Sequence, residues 1–220
     1  MPKITTLRAE MVMYRPEWEQ TLQTAEKESA WLSAWLGFCC IFGKRRNEIC
    51  KLLRQNIWTQ NGYLYVRFFV GKKRSRTSTI DQGPYTKKIT LKHYAVPYIL
   101  RYLETLEFKE GYIFPWKRPR KNELTIHTRF KNRDGEWETK EYHYPVQQGY
   151  RSPQNVCHYI KKVNPSMWPH LGRHTVATRA AEDGATEYDI QNILDISART
   201  ASKYVHRGTK LTERWSEKTE

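Results

Sequence analysis

The sequence predicts an α+β fold, mainly α-helical, with a small antiparallel β-sheet and an extra basic β-hairpin. Three observations predict it. Apolar residues recur at three- and four-residue spacing over most of the chain, the period of a helix with one buried face. Between residues 63 and 91, two runs suited to strands flank a polar stretch. Leu124 to Phe130 and Glu138 to Tyr144 alternate on either side of Asp134-Gly135, a strong hairpin signal. With 220 residues the chain can bury a real core. It reads as one domain over 1–220, with 117–150 as a hairpin insertion and 207–220 as a polar tail.

Pro16 begins a helical pattern. Trp18, Leu22 and Ala25, then Trp31, Leu32, Trp35, Leu36 and Cys39, carry it as far as Gly43. A short helix follows, with Ile49, Leu52 and Leu53 on one side, and Asn61-Gly62 reads as a turn. Tyr63 to Val70 predicts a strand, Gly71 to Arg76 a basic loop, and Lys87 to Leu91 a returning strand. A helix is expected near Val96 to Leu106, with Ile99, Leu100, Leu103 and Leu106 inward and Pro97 confined to its first turn. Ser152-Pro153 caps a helix to about Val163. Arg173 to Asp183 is a helix stopped by Gly184. Thr186 caps Glu187 to Leu194, and Ser197 caps a last helix that carries Tyr204.

Charge narrows the partners. Lys plus Arg is 38 against 23 Asp plus Glu, a formal net charge of +15. That excess favours a polyanion over a neutral ligand. A basic amphipathic helix that would favour a membrane surface is lacking. The apolar run from Ala34 to Phe42 is too short to cross a bilayer, and Met1 to Thr5 opens no signal-peptide pattern. Cys39, Cys40, Cys50 and Cys157 have no C-x-x-C spacing. They read as thiols of a reducing compartment, so the expected location is cytoplasmic, at a nucleoid or inside a host cell.

Four islands could carry chemistry. They are Phe42 to Ile49 with Gly43, Arg45 and Glu48, Val70-Gly71-Lys72-Lys73 at a strand end, His170 to Thr178 with Arg173 and His174, and Asn192 to His206 with Asp195 and Tyr204. Arginine and histidine side chains can hold a phosphodiester, and a tyrosine can attack it. His170 and His174 stand four residues apart, but Leu171 occupies the place of the glutamate in a zinc helix, which argues against a metal. No P-loop and no carboxylate cluster for magnesium is present, and no cofactor is expected.

In this order and at these separations, the islands resemble the catalytic domain of tyrosine recombinases, the phage integrase family. Gly43-x-Arg45-x-x-Glu48 resembles the first arginine box of that family. Gly71-Lys72 resembles its hairpin lysine, and His170-x-x-Arg173-His174 its second box. The similarity runs over roughly residues 20 to 206 and implies that family's catalytic-domain fold. It also implies roles. Arg45 and Arg173 would stabilise charge on the non-bridging phosphate oxygens, for which the rigid guanidinium fork is suited. Tyr204 would be the nucleophile, with a free pKa of about 10 that its surroundings must overcome. Lys72 would protonate the leaving 5′-oxygen. His170 would hydrogen-bond the phosphate, and Glu48 would orient neighbours that include His174. Lys73 and Asp195 are further neighbours of the site. The covalent 3′-phosphotyrosine would keep the energy of the broken bond, so rejoining would need neither ATP nor metal.

Further DNA contacts are expected at Lys73, Arg74 and Arg76, and in the hairpin insertion at Lys117, Arg118, Arg120, Lys121 and Arg129. The insertion also holds five acidic residues, so a solvated hairpin and an arm along DNA both fit it. Two departures from the family stand out. The family's Gly-His or Gly-Trp pair ahead of the tyrosine has no counterpart. Counted forward from Arg173, Ile196 takes the ring position; counted back from Tyr204, Asp195 does. A lost transition-state donor is worth about 2.7 to 4 kcal/mol in other enzymes. In addition, no N-terminal core-binding domain is expected, since about thirty residues precede the pattern; the chain is then a catalytic-only protein or a fragment.

The expected activity is site-specific cutting and rejoining of double-stranded DNA, for integration or excision of a viral or other mobile element. Homo-oligomers would assemble on DNA, around a protomer able to be monomeric in solution. Two alternatives stay open: a type IB topoisomerase-like or telomere-resolving strand transferase, and a DNA-binding module with a weakened site.

Overall fold

A computed structural model describes residues 12–68, 85–116, 123–131, 135–145, 150–168 and 170–205. The chain divides into two compact units, Met1–Arg45 with Tyr159–Glu220, and Arg46–His158. The division falls inside helix α5 (Pro153–Val163). None of the described helices is long and apolar enough to cross a membrane.

The first unit is helical. Helix α1 (Arg15–Glu28) starts with proline in its first turn, and Glu17 reaches back to the Tyr14 amide. Its apolar face buries Trp18, Leu22 and Ala25. The helical pattern resumes after the polar stretch Glu26 to Ser29 in a second helix, α2 (Ala30–Phe42). Ser29 is extended and separates the two helices, whose apolar faces then pack on each other. Almost every residue of α2 is buried, which is why its pattern carries little amphipathic signal. Gly43 ends α2 in the left-handed region at φ 54°.

Helix α6 (Leu171–Glu182) crosses α2 at close range. A β-carbon on Gly172 would lie 2.5 Å from Cys39 Sγ and 2.9 Å from Cys39 O, so only glycine allows this approach. Helix α7 (Glu187–Leu194) is capped by Thr186, as the sequence predicts, and Asp189 completes a capping box with it. A last helix, α8, runs over 198–205 behind Ser197, whose carbonyl accepts from the amides of Thr200 and Ala201. Ala177, Ile190, Leu194, Ala201 and Tyr204 form one buried cluster shared by α6, α7 and α8, with Ile196 packed against it.

The second unit holds helix α3 (Arg46–Cys50), strands β1 (Ile57–Gln60), β2 (Tyr63–Phe68) and β3 (Tyr85–Thr90), helix α4 (Val96–Glu104), and strands β4 (Glu123–Lys131) and β5 (Trp137–Pro145). Strands β1, β2 and β3 form one antiparallel sheet in that order. Strand β1 has only four residues, too short a run to stand out, and it pairs with β2 across Asn61-Gly62, both at positive φ. Leu64, Val66 and Phe68 point from β2 into the core. Helix α3 stops at Cys50, so Leu52 and Leu53 are buried from an irregular segment instead of a helix face. Helix α4 ends at Glu104; Ile99 and Leu103 are inward as expected, Leu100 is half-buried, and Leu106 lies past the helix end. Strands β4 and β5 pair from Glu123↔Pro145 to Lys131↔Trp137, the hairpin the alternation predicts.

Candidate active site

Helix α7 has eight residues, and like any helix it leaves its last carbonyls without partners inside the helix. Those oxygens also carry the negative end of the helix dipole. Three basic side chains gather on them. Lys44 Nζ donates to Ile193 O at 3.2 Å. Arg173 Nη2 donates to Leu194 O, and Arg45 Nη2 donates to Asp195 O at 3.3 Å. Arg173 also donates through Nη1 to Gly43 O at 3.0 Å, the carbonyl at the turn that releases Lys44 and Arg45 from α2. One guanidinium thus bridges the end of α2 and the end of α7.

Asp195 is the hinge of this arrangement. It ends α7 in the left-handed region, φ 52°, one of two non-glycine residues at positive φ among the described residues. Its carboxylate forms an ion pair with Lys44, whose side chain is fully buried while that of Asp195 is about one-third exposed, at 29%. The two alternatives for the missing ring donor therefore part company. Ile196 packs against the apolar cluster, and Asp195 directs its carboxylate onto Lys44.

Tyr204 lies on α8, buried to 8% exposure, with its ring in the α6–α7–α8 cluster. Its hydroxyl is 2.9 Å from Nδ1 of His174, one residue beyond Arg173 on α6. With the imidazole proton on Nε2, Nδ1 accepts from the hydroxyl, the polarity that helps form a phenolate. The His174 ring is flanked by Trp168, centroids 6.2 Å apart, and by Tyr204, 5.6 Å apart. Sequence spacing marks His174 as a neighbour of the site; its contact with Tyr204 depends on how α6 and α8 pack.

The remaining expected residues divide as follows. His170 is exposed at the N-terminal end of α6, where its carbonyl accepts from the His174 amide. Glu48 is buried in α3, within the second unit. Arg129 sits on β4 opposite Thr139. Lys72, Lys73, Arg74, Arg76, Lys117, Arg118, Arg120 and Lys121 lie outside the described residues. Lys44 was not among the expected site residues. Its signal in the sequence is masked because it adjoins Arg45 and Arg46 and reads as one more surface charge.

The phage integrase family profile matches residues 11–210, nearly the whole chain. The chain belongs to the phage integrase family. Among solved structures it is similar in fold to XerA recombinase, at TM-score 0.59 and 17% identity, covering 96% of this chain and 64% of that one. It is likewise similar to XerH site-specific recombinase bound to difH substrate in a pre-cleavage complex, at TM-score 0.56 and 15% identity over 93% of this chain and 53% of that one. A post-cleavage complex of XerH with a palindromic difH substrate gives TM-score 0.59 at 14% identity, over 96% and 54%. This integrase-family chain thus spans between about half and two-thirds of the structures it matches. No curated protein sequence matches it.

Proposed function

We propose that this chain cuts and rejoins DNA by tyrosyl transfer, with Tyr204 as nucleophile and Arg45 and Arg173 as the phosphate clamp. The observation that carries the reading is the convergence of those two arginines, 128 positions apart in sequence, on adjacent carbonyls of one turn. Two guanidiniums held at one place provide fixed positive charge where a phosphodiester gathers negative charge in its transition state.

In the proposed step the Tyr204 oxygen attacks the scissile phosphorus and gives up its proton toward His174 Nδ1. The bond from phosphorus to the 5′-oxygen breaks as the tyrosyl bond forms, leaving a 3′-phosphotyrosine and a 5′-hydroxyl. Lys72 is the proposed proton donor to that 5′-oxygen. Attack by a 5′-hydroxyl on the phosphotyrosine reverses the step, and no net bond energy is lost. His170 on the phosphate and Glu48 as an orienting carboxylate complete the proposal. The same chemistry fits integration or excision of a mobile element, with several protomers assembled on double-stranded DNA.

The test uses nicked duplexes with a randomised core, so that the short fragment released by cleavage diffuses away and the adduct accumulates. A protein–DNA adduct that survives denaturant and disappears in Tyr204→Phe is the expected result. A wild-type chain that binds DNA and never forms the adduct would overturn the enzymatic reading and leave a DNA-binding module. Relaxation of supercoils without site preference would favour the topoisomerase-like outcome.

A further inference from the structure

We infer that Lys44 is a positioning residue: its ion pair with Asp195 keeps that carboxylate away from the arginine clamp and holds the 193–195 turn on which the clamp is built. The inference rests on the proposed function for its chemical meaning. It concerns a side chain to which the family resemblance gives no role.

Charge is crowded into a confined space here. Lys44, Arg45, Arg173 and Asp195 meet at the end of α7. Their formal charges sum to about +2, enough to receive a phosphodiester of charge −1. The one anion of the group could instead occupy the clamp itself. A carboxylate is a good bidentate partner for a guanidinium, and Asp195 adjoins both arginines through the turn. Lys44 prevents this. Its ammonium is fully buried and is hydrogen-bonded to Ile193 O as well as to the Asp195 carboxylate. These two contacts fix both sides of Leu194, whose carbonyl receives Arg173, and the left-handed Asp195, whose carbonyl receives Arg45. Without Lys44, the Asp195 carboxylate would lie beside two guanidiniums with its buried counter-ion gone.

Compensation within the pair tests this. Lys44→Met removes the cation, and Lys44→Met with Asp195→Asn removes both charges. In the adduct assay, Lys44→Met should slow cleavage by about 30-fold, and the second change should recover most of that loss, to within about 5-fold of wild type. A role confined to packing predicts the reverse order, with the double variant the worse. In parallel, arginine Nε–H resonances report the clamp without any DNA chemistry. Those of Arg45 and Arg173 should move in Lys44→Met and return towards wild type in the double variant.

Wild-type cleavage by Lys44→Met, or a folded double variant as slow as Lys44→Met, would overturn the inference. If Lys44→Met does not fold, the double variant decides: a folded, cleaving protein supports the inference, and one that is inactive or unfolded overturns it. A wild-type chain that forms no adduct counts against the proposed function alone. The inference is then decided by the arginine resonances, whose failure to move in Lys44→Met would end it.

Discussion

Arg173 shows at the scale of one residue why a guanidinium is needed. It is 7% exposed and donates in two directions, to Gly43 O and to Leu194 O. A lysine has one nitrogen and cannot span both. Arg173→Lys should therefore keep the fold and lower the adduct rate by about 100-fold, read on denaturing gels. Cys39 offers a second test at this scale. Burial pushes its thiol up to about 12, with the neighbouring Cys40 adding to the effect. A thiol with that value is protonated and unreactive near neutrality. In the native chain, Cys39 should stay unlabelled by a thiol reagent at pH 8 and react only on denaturation, as mass mapping of the labelled peptides would show.

At the scale of elements, the seam between α2 and α6 sets the position of Arg173. Gly172→Ala would force a β-carbon against Cys39 and should destabilise the fold by about 1–3 kcal/mol, measured by urea denaturation. Helix α7 is held at its other end by Thr186 and Asp189. Thr186→Ala should cost about 1 kcal/mol in the same measurement. That cap also has a pH sign. Hydrogen bonds from the Thr186 side chain and then its amide hold the Asp189 carboxyl below the usual 3.8. A depressed folded value contributes stability that is present above pH 3.8 and lost as pH falls through the lower folded value. The penalty of Thr186→Ala should accordingly be greatest near neutrality and shrink below pH 4. The helices α5 to α8 were legible in the sequence because Ser152, Thr186, Ser197 and Gly184 punctuate them locally. Strand β1 and the break at Ser29 were not: one depends on pairing with β2, and at the other Ser29 takes the place in a seven-residue repeat that Leu22 and Leu36 hold, so the helical period runs on across it.

For the whole molecule, a net charge of +15 would make the proposed DNA affinity an electrolyte effect. Binding to duplex DNA should weaken steeply and linearly in log salt, with a slope of about −0.9 for each phosphate neutralised. A fluorescence anisotropy titration at several salt concentrations gives that slope. A slope near zero would mean that the basic surface does not meet the DNA backbone. The match to the phage integrase family over residues 11–210 accords with the resemblance carried by four short islands in order.

The sequence by itself marked candidate residues for the chemistry, the caps that open α5, α7 and α8, and the glycine that stops α6. Those features are written in residue type and short spacing: Gly43 before Arg45, Arg173 before His174, a capped α7, and a tyrosine on α8. Only the tertiary structure decided what Lys44, Asp195 and His174 touch. Lys44 and Asp195 are 151 positions apart, and His174 and Tyr204 are 30. No local pattern records such pairs. They meet because α7 ends with unsatisfied carbonyls against the end of α2, and because α8 buries the Tyr204 ring beside α6. Burial made the difference: in water Lys44 would be one more solvated charge, whereas enclosed at the end of α7 it must take the carboxylate of Asp195.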